Sequence, residues 1–210
     1  MAQARGPRTQ AERRDETRRA LLDATVESLC AVGYARTTTG EVARRAGVSR
    51  GAQLRYFPTK VDLVVAAVER AFALQERRFR ERFDTLPAEQ RTLARAVDEL
   101  WAVFDSPVYA AILELIVAAR TDPSLREVVH AFTAGFHRSV NDTFAELFPE
   151  LADVPNGDRL VGFAFAVMQG AAISGYSGFD DPANAVTFTR QLTAIATPKY
   201  LPHLGTPFRH

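Results

Sequence analysis

Residues 34–60 read YARTTTGEVARRAGVSRGAQLRYFPTK, and the punctuation of this stretch decides the fold. Thr38 followed by Glu41 forms a capping box, in which hydroxyl and carboxylate each satisfy a backbone N–H orphaned at a helix start. The helix that follows is short, with an apolar face of Val42, Ala43 and Ala46 and a basic one of Arg44 and Arg45. Gly47 supplies the positive φ at which a helix can stop. Val48 plugs the turn, Ser49 caps a second helix from Arg50, and Pro58 closes the unit. Two short helices joined by a glycine-containing turn have the pattern of a helix-turn-helix.

The second helix carries Arg50, Gly51, Gln53, Arg55 and Tyr56 and no carboxylate, which suits a groove lined with phosphates. Arginine can bond bidentately to guanine O6 and N7 and glutamine to adenine N6 and N7, while Gly51 lets the backbone approach closely. A solvated helix pair in an all-α protein would show the same caps and glycine turn, so spacing alone leaves both readings open.

The segment TTTGEVARRAGVSRGAQLRYFPTK, residues 37–60, resembles the DNA-binding segment of the tetracycline-repressor (TetR) family of bacterial transcription regulators, including the Ala-Gly-Val-Ser turn and the Phe-Pro-x-Lys exit. The resemblance implies a dimeric, all-helical repressor. It implies phosphate contacts from the Thr38 and Thr39 end of the first helix, base or phosphate contacts from Arg50, Gly51, Arg55 and Tyr56, and a phosphate contact from Lys60. One position departs: Gln53 and Leu54 stand where the family usually has an aliphatic residue followed by Tyr. Leu54 and Phe57, three apart, are expected to form the inward anchor and to leave Gln53 more exposed than its family counterpart.

Charge separates the chain into two jobs. The net charge of the 210 residues is +1, but residues 1–60 hold 12 Lys and Arg against 6 Asp and Glu, leaving 14 against 19 in the remaining 150. A basic head on an acidic body is the footprint of a protein that holds nucleic acid at one end. The expected domains are therefore residues 1–60, an N-terminal arm and helix-turn-helix, and residues 61–210, a helical effector-binding and dimerisation domain. The single cysteine, Cys30, excludes an intrachain disulfide and a multi-cysteine zinc site and is expected to be a buried small hydrophobe. No basic segment followed by an apolar run opens the sequence, which gives a cytoplasmic expectation.

In chain order, residues 1–9 with Arg5 and Arg8 are expected to form a mobile arm, free to enter a minor groove or to remain a solvated tail. Thr9 and Glu12 make another capping box, opening a helix to about Val32 that Gly33 ends, with Leu21, Leu22, Ala24, Thr25, Ser28 and Leu29 inward. Thr59 caps a connecting helix that runs to about Asp84. Helices are expected from about Ala88 to Phe104 and from about Gly157 to Tyr176, and three more start with a cap followed by proline: Ser106–Pro107, Asp122–Pro123 and Asp181–Pro182. The fold class is all-α, with the tail from Pro198 loosely ordered.

In the body, the helix near 157–176 is apolar almost throughout and places Gly162, Ala166, Gly170 and Ser174 at every fourth position. Such a ridge lets two backbones approach, and it is expected at a subunit interface; its length lies at the short limit for a membrane span, and no membrane partner is expected. The family resemblance implies pairing through a four-helix bundle built from the last two helices of each subunit. Trp101, Phe104, Tyr109, Glu114, Phe136 and His137 are candidates for an effector pocket. The plainer alternatives are aromatic core and, for Glu114, an ion pair with Arg120 or a solvent-facing position. His130 and His137, seven apart, lack the spacing for a metal site, and no cofactor is expected.

The function these readings support is a ligand-responsive repressor: a homodimer on a palindromic DNA operator, released by a small-molecule effector. A non-sequence-specific architectural DNA binder is the alternative. A helical-bundle enzyme lacks support, because the body has neither Glu-x-x-His motifs nor a glycine-rich phosphate loop.

Overall fold

The structure, a computed structural model, describes residues 9–149 and 157–200, all helices and connections with no strand among them. The helices are α1 (Gln10–Arg36), α2 (Thr39–Arg45), α3 (Arg50–Tyr56), α4 (Lys60–Thr85), α5 (Leu93–Phe104), α6 (Pro107–Ala119), α7 (Pro123–Leu147), α8 (Gly157–Ser177) and α9 (Pro182–Tyr200). Their starts follow the caps. Thr9 and Glu12 exchange both bonds of a capping box at 3.2 and 2.7 Å. Ser106, Asp122 and Asp181 each accept a backbone N–H from the first turn after a proline. Three boundaries differ from expectation. Helix α1 runs on to Arg36 past a kink at Gly33, where φ is 76°. Residues 88–90 form a 3-10 turn and α5 starts at Leu93, because Thr92 supplies the cap. Helix α9 continues through Pro198 to Tyr200. The expected N-terminal arm, apart from Thr9, and the last ten residues lie outside the described residues.

Packing divides the described chain into two units. One holds the residues up to Phe72 together with Ala110–Phe132; the other holds Ala73–Tyr109 and the residues from Thr133 onward. The first has a core of Leu21, Leu22 and Ala24 from α1, Val42 from α2, Phe57 after α3, and Leu63 and Ala67 from α4. Burying each of its Leu, Val and Phe side chains stabilises by about 1.5–3 kcal/mol before entropy is counted, so four helical segments can share one small core. Its α4, α6 and α7 segments also frame a shallow apolar cleft lined by Val65, Val68, Ile112, Leu115, Ile116, Val129 and Phe132.

The second unit is built on aromatic contacts. Phe79, Phe83, Phe144 and Phe148 join α4 to the end of α7 with ring centroids 5.6–5.9 Å apart. Arg80 bridges Glu146 and Thr143, and Glu76 accepts from Ser139 at 2.7 Å. Helix α9 packs on α5 and α8, and Val161, Phe165, Met168, Ala171 and Ala172 form the buried face of α8.

Candidate nucleic-acid interface

The two short helices are set by their caps and by a turn that only a small backbone can make. Thr38 Oγ1 accepts the Glu41 N–H at 3.3 Å, but the capping box is not reciprocal. The Glu41 carboxylate turns to the Arg44 and Arg45 guanidiniums at 2.8–2.9 Å. Those two side-chain bonds push the Glu41 pKa down to about 2, and charge-assisted bonds of this kind outcompete the single backbone N–H at the helix start. Gly47 carries φ 65°, and Ser49 Oγ accepts the Ala52 N–H at 3.2 Å to start α3.

Helix α3 corrects the expected register. Gln53 is 0% exposed and Leu54 is 46% exposed, the reverse of the expectation. The inward pair is Gln53 and Phe57, four apart, and Gln53 Nε2 donates to the Phe57 carbonyl at 2.8 Å. The amide thereby caps the C-terminal end of α3, where a carbonyl has no helical partner; its Oε1 is buried without a hydrogen-bond partner. Gln53 therefore cannot read a base in this arrangement. The outward side holds Arg50, Gly51, Leu54 and Arg55, all exposed, with Tyr56 half-buried. At the other end of the motif Thr38 is exposed and Thr39 half-buried.

Lys60 is half-buried, and its ammonium is already engaged. Nζ donates to the Tyr34 carbonyl at 2.6 Å and lies 4.1 Å from the Tyr34 ring centroid. Burial moves its pKa down, and the ammonium has two further N–H donors. Tyr34, to which the sequence pattern assigns no role, is thus the seat of the lysine; the tyrosine and lysine lie 26 positions apart, beyond any local signal.

The Cys30 expectation is overturned, while Glu114 takes the solvent-facing position that was one of its alternatives. Cys30 is exposed, because α1 turns that position away from its buried stripe of Leu21, Leu22, Thr25, Ser28 and Leu29. Partial burial of the thiol still pushes its pKa up. Glu114 is exposed and accepts the Tyr34 N–H at 2.7 Å, so its carboxylate is engaged by backbone and not by Arg120.

The other pocket candidates lie in the second unit. Phe104 contacts Tyr109 at 4.4 Å and Phe165 at 5.0 Å, while Phe136 and His137 each reach Phe165 at 5.6 Å. Phe165, which the sequence pattern places only in an apolar helix, is the common centre. Burial raises the Tyr109 pKa, and a hydrogen bond with Gln169 opposes the shift. Trp101 is half-buried on α5. On α8, Gly162, Ala166 and Gly170 are exposed and Ser174 is half-buried, and a Cβ added at Gly162 or Gly170 would meet open space. Leu160, Phe163, Ile173 and Tyr176 on α8 and Phe188 and Leu192 on α9 are exposed too, Phe163 and Phe188 at 60%.

A capped, glycine-turned helix pair exposing arginines from its second helix, among described residues that are all helices and connections, defines a helix-turn-helix protein. Residues 21–67 match the family of bacterial regulatory proteins called tetR, and residues 88–197 match the tetracyclin repressor-like C-terminal domain. The chain belongs to the TetR family of transcription regulators. It is 34% identical over 148 residues, 68% of this chain and 76% of the relative, to the HTH-type transcriptional regulator Rv2912c of Mycobacterium tuberculosis. It is 40% identical over 120 residues, 57% of this chain and 59% of the relative, to the HTH-type regulator CymR of Pseudomonas putida. Among solved structures, the regulator FadR of Bacillus subtilis in complex with stearoyl-CoA shares the fold with a TM-score of 0.61 at 18% identity, covering 83% of this chain and 96% of that one.

Proposed function

We propose that the protein is a ligand-responsive repressor in the cytoplasm, binding a palindromic operator as a homodimer and released by a small-molecule effector. The reading is assigned to residues 1–60, whose core also takes Leu63 and Ala67 of α4, and the effector and dimer functions to the helices of residues 61–210. The observation that carries the reading is the outward set of α3: Arg50, Gly51, Leu54 and Arg55 are exposed while Gln53 and Phe57 are buried. Arg50 and Arg55 offer bidentate donors to guanine or phosphate, Gly51 close backbone approach, and Leu54 an apolar contact for a thymine methyl. Thr38, Thr39, Tyr56 and the remaining Lys60 donors serve the phosphates.

The dimer is proposed on α8 and α9. Their apolar side chains that remain exposed, together with Gly162, Ala166, Gly170 and Ser174, suit a second copy of the same surface, as two-fold pairing requires. Residues 159–177 are long and apolar enough to cross a membrane. One face of this helix is buried in its own unit, however, which leaves a stripe and not a whole circumference to cover. The effector is proposed at the aromatic centre of Phe104, Tyr109, Phe136, His137 and Phe165, beside Trp101. FadR, which shares the fold, was solved with stearoyl-CoA, and this supports a ligand site in the helical body.

Footprinting on the region upstream of the coding sequence, with light scattering of the free protein, tests the proposal. A discrete protected palindrome and a dimer are expected. Even protection along the fragment would instead favour the architectural reading, and a monomer at micromolar concentration would remove the two-fold mechanism.

A further inference from the structure

The first unit contains a hydrogen-bonded relay that the DNA-reading surface does not explain. It begins at Glu114 on α6, whose carboxylate accepts the Tyr34 N–H at 2.7 Å. That N–H belongs to the Gly33–Tyr34 peptide, and the carbonyl of the same peptide accepts both the backbone N–H of Thr37 at 3.1 Å and its hydroxyl at 2.8 Å. Thr37 is 1% exposed, and its Oγ1 also lies 3.1 Å from the buried Ser28 hydroxyl on α1. The next residue, Thr38, is the cap of α2. On the other side of Tyr34, its carbonyl and ring hold the Lys60 ammonium.

The geometry at Gly33 shows how closely the carboxylate is seated. Gly33 has φ 76°, and a Cβ there would stand 2.5 Å from Glu114 Oε2. Glycine at this position thus meets two independent demands, a left-handed backbone and the room a carboxylate needs to reach the next N–H. A charged acceptor on an amide N–H makes a short, strong bond, and polarising that amide strengthens the bonds its carbonyl accepts. The carboxylate therefore tightens the bonds from Thr37 as well as its own. Without it, the Gly33–Tyr34 peptide keeps the two bonds from Thr37 but loses the acceptor on its N–H side, which loosens both the Thr37 anchor and the Tyr34 seat of Lys60.

We infer that Glu114 is a positioning residue for DNA binding, which fixes through the Gly33–Tyr34 peptide the point where α2 leaves α1 and the seat of the Lys60 ammonium. This rests on the proposed phosphate contacts of Thr38 and Lys60. It makes α6, which carries none of the DNA-reading residues, part of the apparatus that aligns them. Glu114→Ala removes the acceptor, whereas Glu114→Gln keeps an amide oxygen that can accept the Tyr34 N–H without the charge.

The test uses the full chain and a duplex selected by the wild-type protein from a random-sequence pool, with affinity measured across a salt series and thermal midpoints recorded for each variant. Glu114→Ala is expected to bind about tenfold more weakly than wild type, with a log–log salt slope shallower by about 0.9 for each phosphate no longer neutralised. Its midpoint should stay within a few degrees of wild type, and Glu114→Gln should recover most of the affinity. Unchanged affinity and slope in Glu114→Ala would overturn the inference, as would weaker binding accounted for by unfolded protein in both variants. Lys60→Ala separates the two claims. If it flattens the slope while Glu114→Ala does not, the phosphate contact stands and the positioning role fails; if Lys60→Ala changes nothing, the underlying phosphate assignment fails first.

Discussion

The α2–α3 pair and the α8–α9 pair are both helical, but different physics specifies them. In the first, each boundary is written by a residue that acts on its own neighbours: Thr38 and Ser49 as caps and Gly47 at φ 65°. In the second, the ends are also punctuated, yet what matters is which side of each helix is covered. Phe165 and Met168 are buried while Phe163 and Ile173 on the same helix are exposed. The reading head is organised by local hydrogen bonds, whereas the α8–α9 surface is organised by packing between distant parts of the chain and, on the proposal above, by a second chain.

Filling the small-residue ridge should break that contrast most severely. Gly170→Leu places a branched side chain where two backbones are proposed to meet, at a cost of about 1–3 kcal/mol per site. Loss of the dimer removes simultaneous engagement of two half-sites, so operator affinity should fall by roughly 10²–10⁴. Sedimentation with the same preparation used for binding checks both. A folded dimer with unchanged affinity would place the ridge away from any interface.

A smaller effect sharpens the account of α3. Gln53→Ala should lower stability by about 2 kcal/mol in urea unfolding, because it leaves a hole and uncaps the Phe57 carbonyl, while sequence preference is retained. Arg50→Ala should do the opposite, leaving stability unchanged and relaxing preference at particular base pairs by about 1–3 kcal/mol if its contact is bidentate. Gln53→Leu, which removes the unpartnered Oε1 along with the cap, should change stability by about 1 kcal/mol or less. If Gln53→Ala relaxed base preference at full stability, the buried register would be wrong.

Lys60→Ala should weaken binding alike for all sequences and flatten the salt slope by about 0.9 for one phosphate. The smallest effect concerns Glu41. Its folded pKa lies below the ordinary 4.5, at about 2, so its contribution to stability is complete above pH 4.5 and is lost as pH falls toward 2. Because water reaches the group freely, solvent screening keeps the effect small. Acid unfolding of Glu41→Gln should therefore match wild type at low pH and depart from it slightly above pH 4.5.

The sequence made the α2–α3 segment, its turn and most helix starts legible, because a cap or a glycine acts within four residues of itself. It misled on Gln53 for a related reason. Leu54–Phe57 and Gln53–Phe57 are both helical neighbours, and hydrophobicity favours the first, but an amide that caps a carbonyl at 2.8 Å can be buried in place of a leucine. Cys30 was misread because residue-type preference for burial carries no information on which side of α1 it falls. Glu114 and Tyr34, 80 positions apart, could not be joined from the sequence, and neither could Lys60 and Tyr34. Such pairs exist only once the chain has folded. The aromatic candidates were recognisable by type, but their common neighbour Phe165 was hidden in an apolar run.

The central claim is that α3 reads DNA as half of a two-fold pair, and selection of duplexes from a random-sequence pool by the wild-type protein tests it most directly. Enrichment is expected of one palindromic sequence whose half-site centres are about one helical turn or a multiple apart, bound by an even number of chains. Enrichment of a single half-site bound by one chain, or no enrichment over the starting pool, would contradict it.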